Sequence, residues 1–257
     1  MIGTREIEQF DKLGAVTVDA AIAEDQLNAA ADVFDRVLVQ EQPANGTKPL
    51  TRVQRDGRLD QPLLDIIQHP FMEETAKRTL GAADVEFFAH AIVKSYPEPG
   101  VPFSFWEHVD IKYSTRDLDG VPKRMICSCL LWLTDVTPDR APLMFRPGSH
   151  RMIAAEVDKD NSYIDNPAPL QALPKLPYAD PQPLLARRGQ VTVCTTAAIH
   201  GASVNTGTKD RKVMFVTFVP KDHEIRANMS AIESRRKYLR EMKKLLRPER
   251  SHIIVDR

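Results

Sequence analysis

The chain has little with which to staple itself or to cross a membrane. Three cysteines in 257 residues, Cys127, Cys129 and Cys194, make a poor disulfide framework and suggest a reducing compartment. No run of about 18 apolar residues occurs, which excludes a membrane-spanning helix. The opening MIGTREIEQF lacks the apolar core of a secretory leader, so the sequence reads as cytosolic. Charge of one sign is also missing. With 35 basic against 35 acidic side chains, no overall field recruits nucleic acid or an anionic membrane. Internal repeats and low-complexity tracts are absent. What remains is an ordinary globular composition, 42% hydrophobic and 27% charged, enough to bury a sizeable core.

The first third reads as helical. TREIEQFDKLG places Ile7, Phe10 and Leu13 on one face, with Thr4 as N-cap and Gly14 as stop. AVTV (15–18) is a short strand, Asp19 to Gln40 a second helix, and Pro62 to Leu80 a third, with QPANGTKPL a loop between them. From about residue 84 the texture changes to short β-branched or aromatic runs parted by turn signals. DVEFFAHAIVKSY, RMICSCLLWLTD, GQVTVCTT and RKVMFVTFV are examples. That is the texture of an all-β core with helices, a double-stranded β-helix or jelly roll of the cupin type. One domain is expected over 1–257: helical support over 1–82, a jelly-roll core over 83–220, and a tail over 221–257. Residues 154–186, rich in Pro, Asn and Asp, read as a long insert in that core that is either functional, as a lid over bound substrate, or disordered. The tail spaces Ile232, Tyr238, Leu239, Met242, Leu245 and Leu246 as a helical stripe. Between Ser234 and Arg250 it carries eight basic and two acidic residues. Docking by the apolar face, with a solvated basic face outward, is the simplest reading.

Chemistry enters at FWEHVDIKYS (105–114). His108 and Asp110 are two apart, so on a strand both side chains reach one face. A metal, a surface pair, or a general base with its orienting acid would each use such a pair. A mononuclear Fe(II) oxygenase site needs two histidines and one carboxylate, with open positions beside them. The further histidine should come from another strand of the same cavity. His200, in TAAIHGASVNTGTKDRKVMFVTFV, is the candidate. Arg211 stands eleven positions later, heading the next strand, where it would form a bidentate pair with a carboxylate inside the barrel. His150, in a Pro-Gly turn, reads as a turn residue bonded to a neighbouring loop. His69, His90, His223 and His252 have no partner spacing. Cys127 and Cys129 lack the second cysteine pair of a tetrahedral site and read as core.

The HVD pair, LMFRPGSHR (143–151), and the order His200, Gly201, Asn205, Arg211 together resemble the phytanoyl-CoA dioxygenase family of Fe(II)/2-oxoglutarate enzymes. EIEQFDKLGAVTV resembles its opening helix and strand. The run DGVPKRMICSCLLWLTDVTPDRAPLMFRPGSH (119–150) is most similar to the ectoine-hydroxylase branch. The resemblance implies His108, Asp110 and His200 as iron ligands and Arg211 as partner of the distal carboxylate of 2-oxoglutarate. Lys94 matches a position that often helps to hold that cosubstrate. Ala202 stands where the family often has Ser or Thr, so Ser203 or Lys94 would supply the missing bond. Phe105, Trp106 and Tyr113 lie close enough to the motif to wall a pocket. Lys112, Tyr113, Arg187 and Arg226 form a candidate polar lining and hint at a small anionic or zwitterionic metabolite.

The implied activity is hydroxylation of an unactivated C–H in a small polar metabolite. It would use Fe(II), 2-oxoglutarate and O2, release succinate and CO2, and draw on ascorbate as a supporting reductant. Two other readings stay open: a catalytically inactive jelly roll that binds a ligand or partner, and a divalent-metal enzyme that uses no 2-oxoglutarate.

Overall fold

Local sequence dictates where each element begins and stops. The structure is a computed structural model that describes residues 2–40, 49–160, 168–221 and 232–255. Helix α1 (Thr4–Leu13) buries Phe10 and ends at Gly14, whose φ of 89° is left-handed and whose N–H donates to the Phe10 carbonyl. Its cap falls one residue earlier than expected. Gly3 precedes the helix and donates its N–H to the Glu6 carboxylate at 2.9 Å, so Thr4 is already helical. Strand β1 (Ala15–Asp19) follows, then α2 (Glu24–Val37), which buries Leu27, Ala30, Val33 and Phe34.

Two sequence expectations change next. Arg52–Asp56 form strand β2 inside the nominally helical third. Its single apolar residue, Val53, gives too little alternation to announce a strand. The helix expected over 62–80 is two, α3 (Gln61–Ile67) and α4 (Pro70–Leu80). Pro70 has no N–H to continue α3 and holds His69 in an extended conformation.

The rest of the chain supplies β3 (Val85–Ser95), β4 (His108–Val109), α5 (Thr115–Asp119), β5 (Cys127–Trp132), β6 (Leu143–Phe145) and α6 (Ser149–Asp160). After these come β7 (Ala168–Pro169), β8 (Gln182–Leu184), β9 (Gln190–Cys194), β10 (His200–Ala202), β11 (Arg211–Pro220) and α7 (Ile232–Leu245). Antiparallel pairing sorts the strands into a major sheet, β1-β9-β5-β11-β3-β2, and a minor sheet, β7-β4-β10-β6-β8. This is the jelly-roll core that the strand texture anticipates. Pleating then divides the residues of β11. Met214, Val216 and Phe218 face the helices and join the larger core with Leu63, Phe71 and Met72. Val213 faces inward and packs with Leu130, Trp132, Leu143 and Phe145 between the sheets. Helices cover one face of the major sheet; the minor sheet, with a cavity, covers the other.

The stretch 154–186 is not one long loop. Helix α6 runs to Asp160 with Ile153, Ala154 and Val157 buried. Strand β7 then pairs with β4, and β8 with β6. Pro, Asn and Asp had masked a helical period and two edge strands too short to register. Residues 161–167 lie outside the described residues. In the tail, Leu239, Met242 and Leu246 are buried as expected, whereas Leu245 is exposed, turned out of the stripe by the helical period. The chain end is then clasped to α4. Arg250 Nη2 and His252 Nε2 reach the buried Glu73 at 2.6 and 3.0 Å. Burial opposes ionisation of Glu73, but the Lys77 and His252 hydrogen bonds and the Arg250 charge outweigh it and pull its carboxyl down to about 2.

Candidate metal centre and its cavity

β4 and β10 are neighbours in the minor sheet, and their antiparallel register sets His108 directly opposite His200. The imidazole centroids are 4.5 Å apart. Asp110 lies just past β4, where its N–H donates to the Thr196 carbonyl, and its carboxylate sits between the two rings. Oδ1 is 3.3 Å from His108 Nε2, and Oδ2 is 3.7 Å from His200 Nε2. One ligand atom from each residue falls within 4.8 Å of the others. The backbone aims the rings: Nδ1 of His200 meets the Ala198 carbonyl at 2.9 Å and Nδ1 of His108 the Trp106 carbonyl at 3.4 Å. A proton held on Nδ1 leaves the Nε2 lone pair facing Asp110. Burial pulls the His200 pKa down. For Asp110 burial acts upward, and its His108 and His200 neighbours outweigh it, so the carboxyl stays low. Two imidazoles and one carboxylate are the donor set that a divalent transition metal takes.

Motif residues that carry no ligand atom build this geometry. Gly201 is one: a Cβ there would come within 2.0 Å of the Trp106 carbonyl oxygen, so only glycine lets β10 lie against residue 106. Arg146 is another. It grips Glu107, beside His108, through two hydrogen bonds of 2.5 and 3.0 Å. Ser149 Oγ donates to the Arg146 carbonyl and accepts from the Ile199 N–H, beside His200. The RPGSH stretch thus ties both histidine strands together. His150 is buried at the start of α6 and bonds the Asp11 carbonyl through Nε2.

The triad opens on a cavity of about 950 Å³ between the two sheets. Arg211, first residue of β11, points into it from opposite Ser95 on β3. Its Nη2 donates to Ser95 Oγ at 2.8 Å, and its guanidinium lies 5.7 Å from the Trp132 ring centroid. Only 3% of the residue is exposed, its Nε has no partner, and no carboxylate among the described residues pairs with it. Burial, reinforced by the nearby Arg52 charge, draws its pKa down to about 9. A buried cation left this way carries an uncompensated desolvation cost.

The other candidates separate. Trp106 lines the cavity and stacks on His108 at 4.4 Å. Lys94 does not reach the cavity. It follows the opposite pleat from Ser95, so its Nζ ion-pairs with Asp35 on α2 and with Asp210, at 2.7 and 3.2 Å. Ser203 is likewise turned outward from Ala202, and its hydroxyl donates to the Pro142 carbonyl. Tyr113 is core, its hydroxyl accepting from the Ile126 N–H. Phe105 pairs by backbone with Ser203 and packs on Phe103. Lys112 is buried away from the cavity, and Arg187 is at the surface beside Asp19. Arg226 lies outside the described residues. In their place the cavity takes Arg52, Gln54 and Asp56 from β2, with Ser128 and Thr217 from β5 and β11. Only the register of the major sheet sets these side chains on the cavity side, where the three β2 residues stay exposed at the sheet edge, and no motif marks them.

The model of the family "Phytanoyl-CoA dioxygenase (PhyH)" matches residues 10–213, from α1 to just past Arg211. The chain belongs to that family. This PhyH-family chain is 26% identical over 212 residues to the ectoine dioxygenases of Bordetella parapertussis and Bordetella bronchiseptica. The alignments cover 75% of this chain and 65% of each relative, so the chain spans about two thirds of their length. Among solved structures it is similar to the 2-oxoglutarate-dependent carbocyclase SnoK from nogalamycin biosynthesis (TM-score 0.67, 18% identity, 91% of this chain and 90% of that one). It is also similar to iron-bound EctD from S. alaskensis (TM-score 0.58, 15% identity, 87% and 79%). A further likeness is to HygX from Streptomyces hygroscopicus, solved with nickel and 2-oxoglutarate (TM-score 0.62, 11% identity, 86% and 89%). At these identities the structural likenesses establish the fold.

Proposed function

We infer that the chain is a single-domain Fe(II)/2-oxoglutarate dioxygenase that hydroxylates a C–H of a small polar molecule in a reducing, cytosolic setting. One observation carries the reading: a two-histidine, one-carboxylate cluster shares a cavity with a buried arginine that has no carboxylate of its own. The cluster fits iron by its donor set. The orphaned guanidinium fits the far carboxylate of a keto diacid. His108, Asp110 and His200 would hold the metal, and Arg211 with Ser95 would hold the diacid. When bound, the pair supplies oxidative decarboxylation to succinate and CO2 coupled to hydroxylation. O2 is the oxidant, and ascorbate would serve as supporting reductant. The chain's own residues position and shield. The Ala198 and Trp106 carbonyls fix the imidazoles. Leu143, Phe145 and Phe215 line the cavity with apolar surface that keeps water from the reacting C–H.

The arginine also separates the competing readings. An inactive jelly roll needs no intact triad, and a metal enzyme without 2-oxoglutarate leaves Arg211 buried without an anion. The test is anaerobic calorimetry with Fe(II) and then 2-oxoglutarate, followed by a metabolite screen for substrate-dependent succinate. Wild type should bind both. Asp110→Glu should lose metal and turnover, because one added methylene overshoots a metal–oxygen bond of roughly 2 Å. If Asp110→Glu retains normal iron binding and succinate release, the triad is misassigned.

A further inference from the structure

Metal and keto diacid at the Arg211 end leave most of the cavity free. Its 950 Å³ lies near the top of the range of roughly 300–1,000 Å³ usual for small-molecule sites. The wall facing the triad has a definite chemical layout, set by register. Ser128, Thr217 and Ala89 form one row across β5, β11 and β3; Phe215, Ala91 and Asp56 form the next across β11, β3 and β2. The two alanines leave a trench between the hydroxyls on one side and Asp56 on the other, roughly 14 Å over three strand spacings.

Every polar group along that trench offers lone pairs. Ser128 Oγ is buried, faces the cavity and has no hydrogen-bond partner. Thr217 spends its proton on the Ala89 carbonyl at 2.8 Å, so only acceptor capacity faces the trench. On β2, Arg52 Nη2 donates to Gln54 Oε1 at 3.1 Å and Gln54 Nε2 donates to Asp56 Oδ1 at 2.9 Å. That chain holds the amide with its oxygen toward Arg52. Among the described residues, Asp56 has no other hydrogen bond and no ion pair. The strand is therefore polarised. Its cationic end stands beside Ser95, at the level of Arg211, and its anionic end lies four residue pairs away. An anion is drawn to the first end and repelled from the second.

We propose that the acceptor-lined end is the substrate subsite and takes a small molecule bearing an amine, with Asp56 receiving the ammonium and Ser128 a hydroxyl or further N–H. Asp56 is then the specificity-determining residue, and a carboxylate or phosphate is excluded from that end. The inference rests on the oxygenase reading and narrows the anionic or zwitterionic metabolite that Lys112, Tyr113, Arg187 and Arg226 suggest in the sequence to one that presents a cationic nitrogen at this end.

The test uses the full chain loaded with zinc, which cannot turn over, and 2-oxoglutarate. Binding of size-matched amine, alcohol and carboxylate ring compounds is read by ligand-observed NMR, with glucosamine, glucose and glucuronate as one trio. Amines should outbind their counterparts on wild type. Asp56→Asn should erase that preference by roughly tenfold or more, as loss of a charged hydrogen bond does. Asp56→Lys should turn the preference toward carboxylates, with thermal melts confirming that each variant is folded. Ser128→Ala should weaken every member while keeping the order. A panel in which no amine outbinds its alcohol and carboxylate counterparts on wild type overturns the subsite, as does an amine preference that survives in Asp56→Lys. Wild-type 2-oxoglutarate binding is titrated first. Its failure refutes the oxygenase reading itself, whereas success there with no amine preference refutes only the subsite.

Discussion

Replacing Arg211 by methionine should move two measurements in opposite directions. Without an anion the guanidinium is a buried charge with one neutral partner. The fall of its pKa from the ordinary arginine range to about 9, at 1.36 kcal/mol per pH unit, corresponds to on the order of 5 kcal/mol of unrelieved desolvation. A folded pKa below the unfolded one means that the unfolded chain holds the proton more tightly. The penalty is complete at neutral pH and fades only as pH rises above about 9 toward the ordinary arginine range. Methionine removes it, at the loss of the Ser95 hydrogen bond (about 1 kcal/mol) and the contact with Trp132 (about 1 kcal/mol). The apo protein should gain about 2–3 kcal/mol, which for a chain of this size raises Tm by roughly 4–10 °C. Affinity for 2-oxoglutarate should collapse, because two charge-assisted bonds of about 1.5–3 kcal/mol each amount to at least about a hundredfold. The assay is a thermal melt of the zinc-loaded protein with and without the diacid. At 100 times its Kd the ligand stabilises wild type by about 2.7 kcal/mol and should leave the variant unmoved. A lower apo Tm, or an undiminished shift with 2-oxoglutarate, would refute the role of Arg211 as an anion receptor.

Gly201→Ala should disrupt the centre without touching a ligand. The added Cβ would meet the Trp106 carbonyl at 2.0 Å, so β10 must move from β4, and Fe(II) binding by calorimetry should weaken at least tenfold; retained affinity would show that the close approach is dispensable. Glu73→Gln tests the clasp on the chain end. The Glu73 pKa is lowered, so its contribution is present above pH 4.5 and lost as pH falls toward 2, worth about 3 kcal/mol at neutral pH. Acid titrations should find the variant less stable at pH 7 and level with wild type near pH 2, and a constant gap across that range would rule the linkage out.

What the sequence by itself determined was whatever depends on chain-local spacing. His108 and Asp110 share a face because strand side chains repeat every two residues. Gly14 stops α1, and the alternating runs after residue 84 become the jelly-roll strands. The order of His200 and Arg211 after them was legible as a motif before any geometry. Glu107 and Ser149 sat inside the same motifs, yet their work in tying Arg146 and Ile199 to the histidine strands depends on contacts between distant segments. Residues 154–160 read as loop because Pro, Asn and Asp further along hide a helical period that only burial of Ala154 and Val157 makes visible. Lys94 and Arg211 differ most sharply. Both are basic residues near strand ends, and one pleat decides that Arg211 enters the cavity with Ser95 while Lys94 leaves it for Asp35. Arg52, Gln54 and Asp56 gave no signal at all. A polar residue at every second position marks a solvent face in most strands, and here that exposed face also lines the cavity, because Val53 packs on the helices and the opposite side of the edge strand borders the space between the sheets.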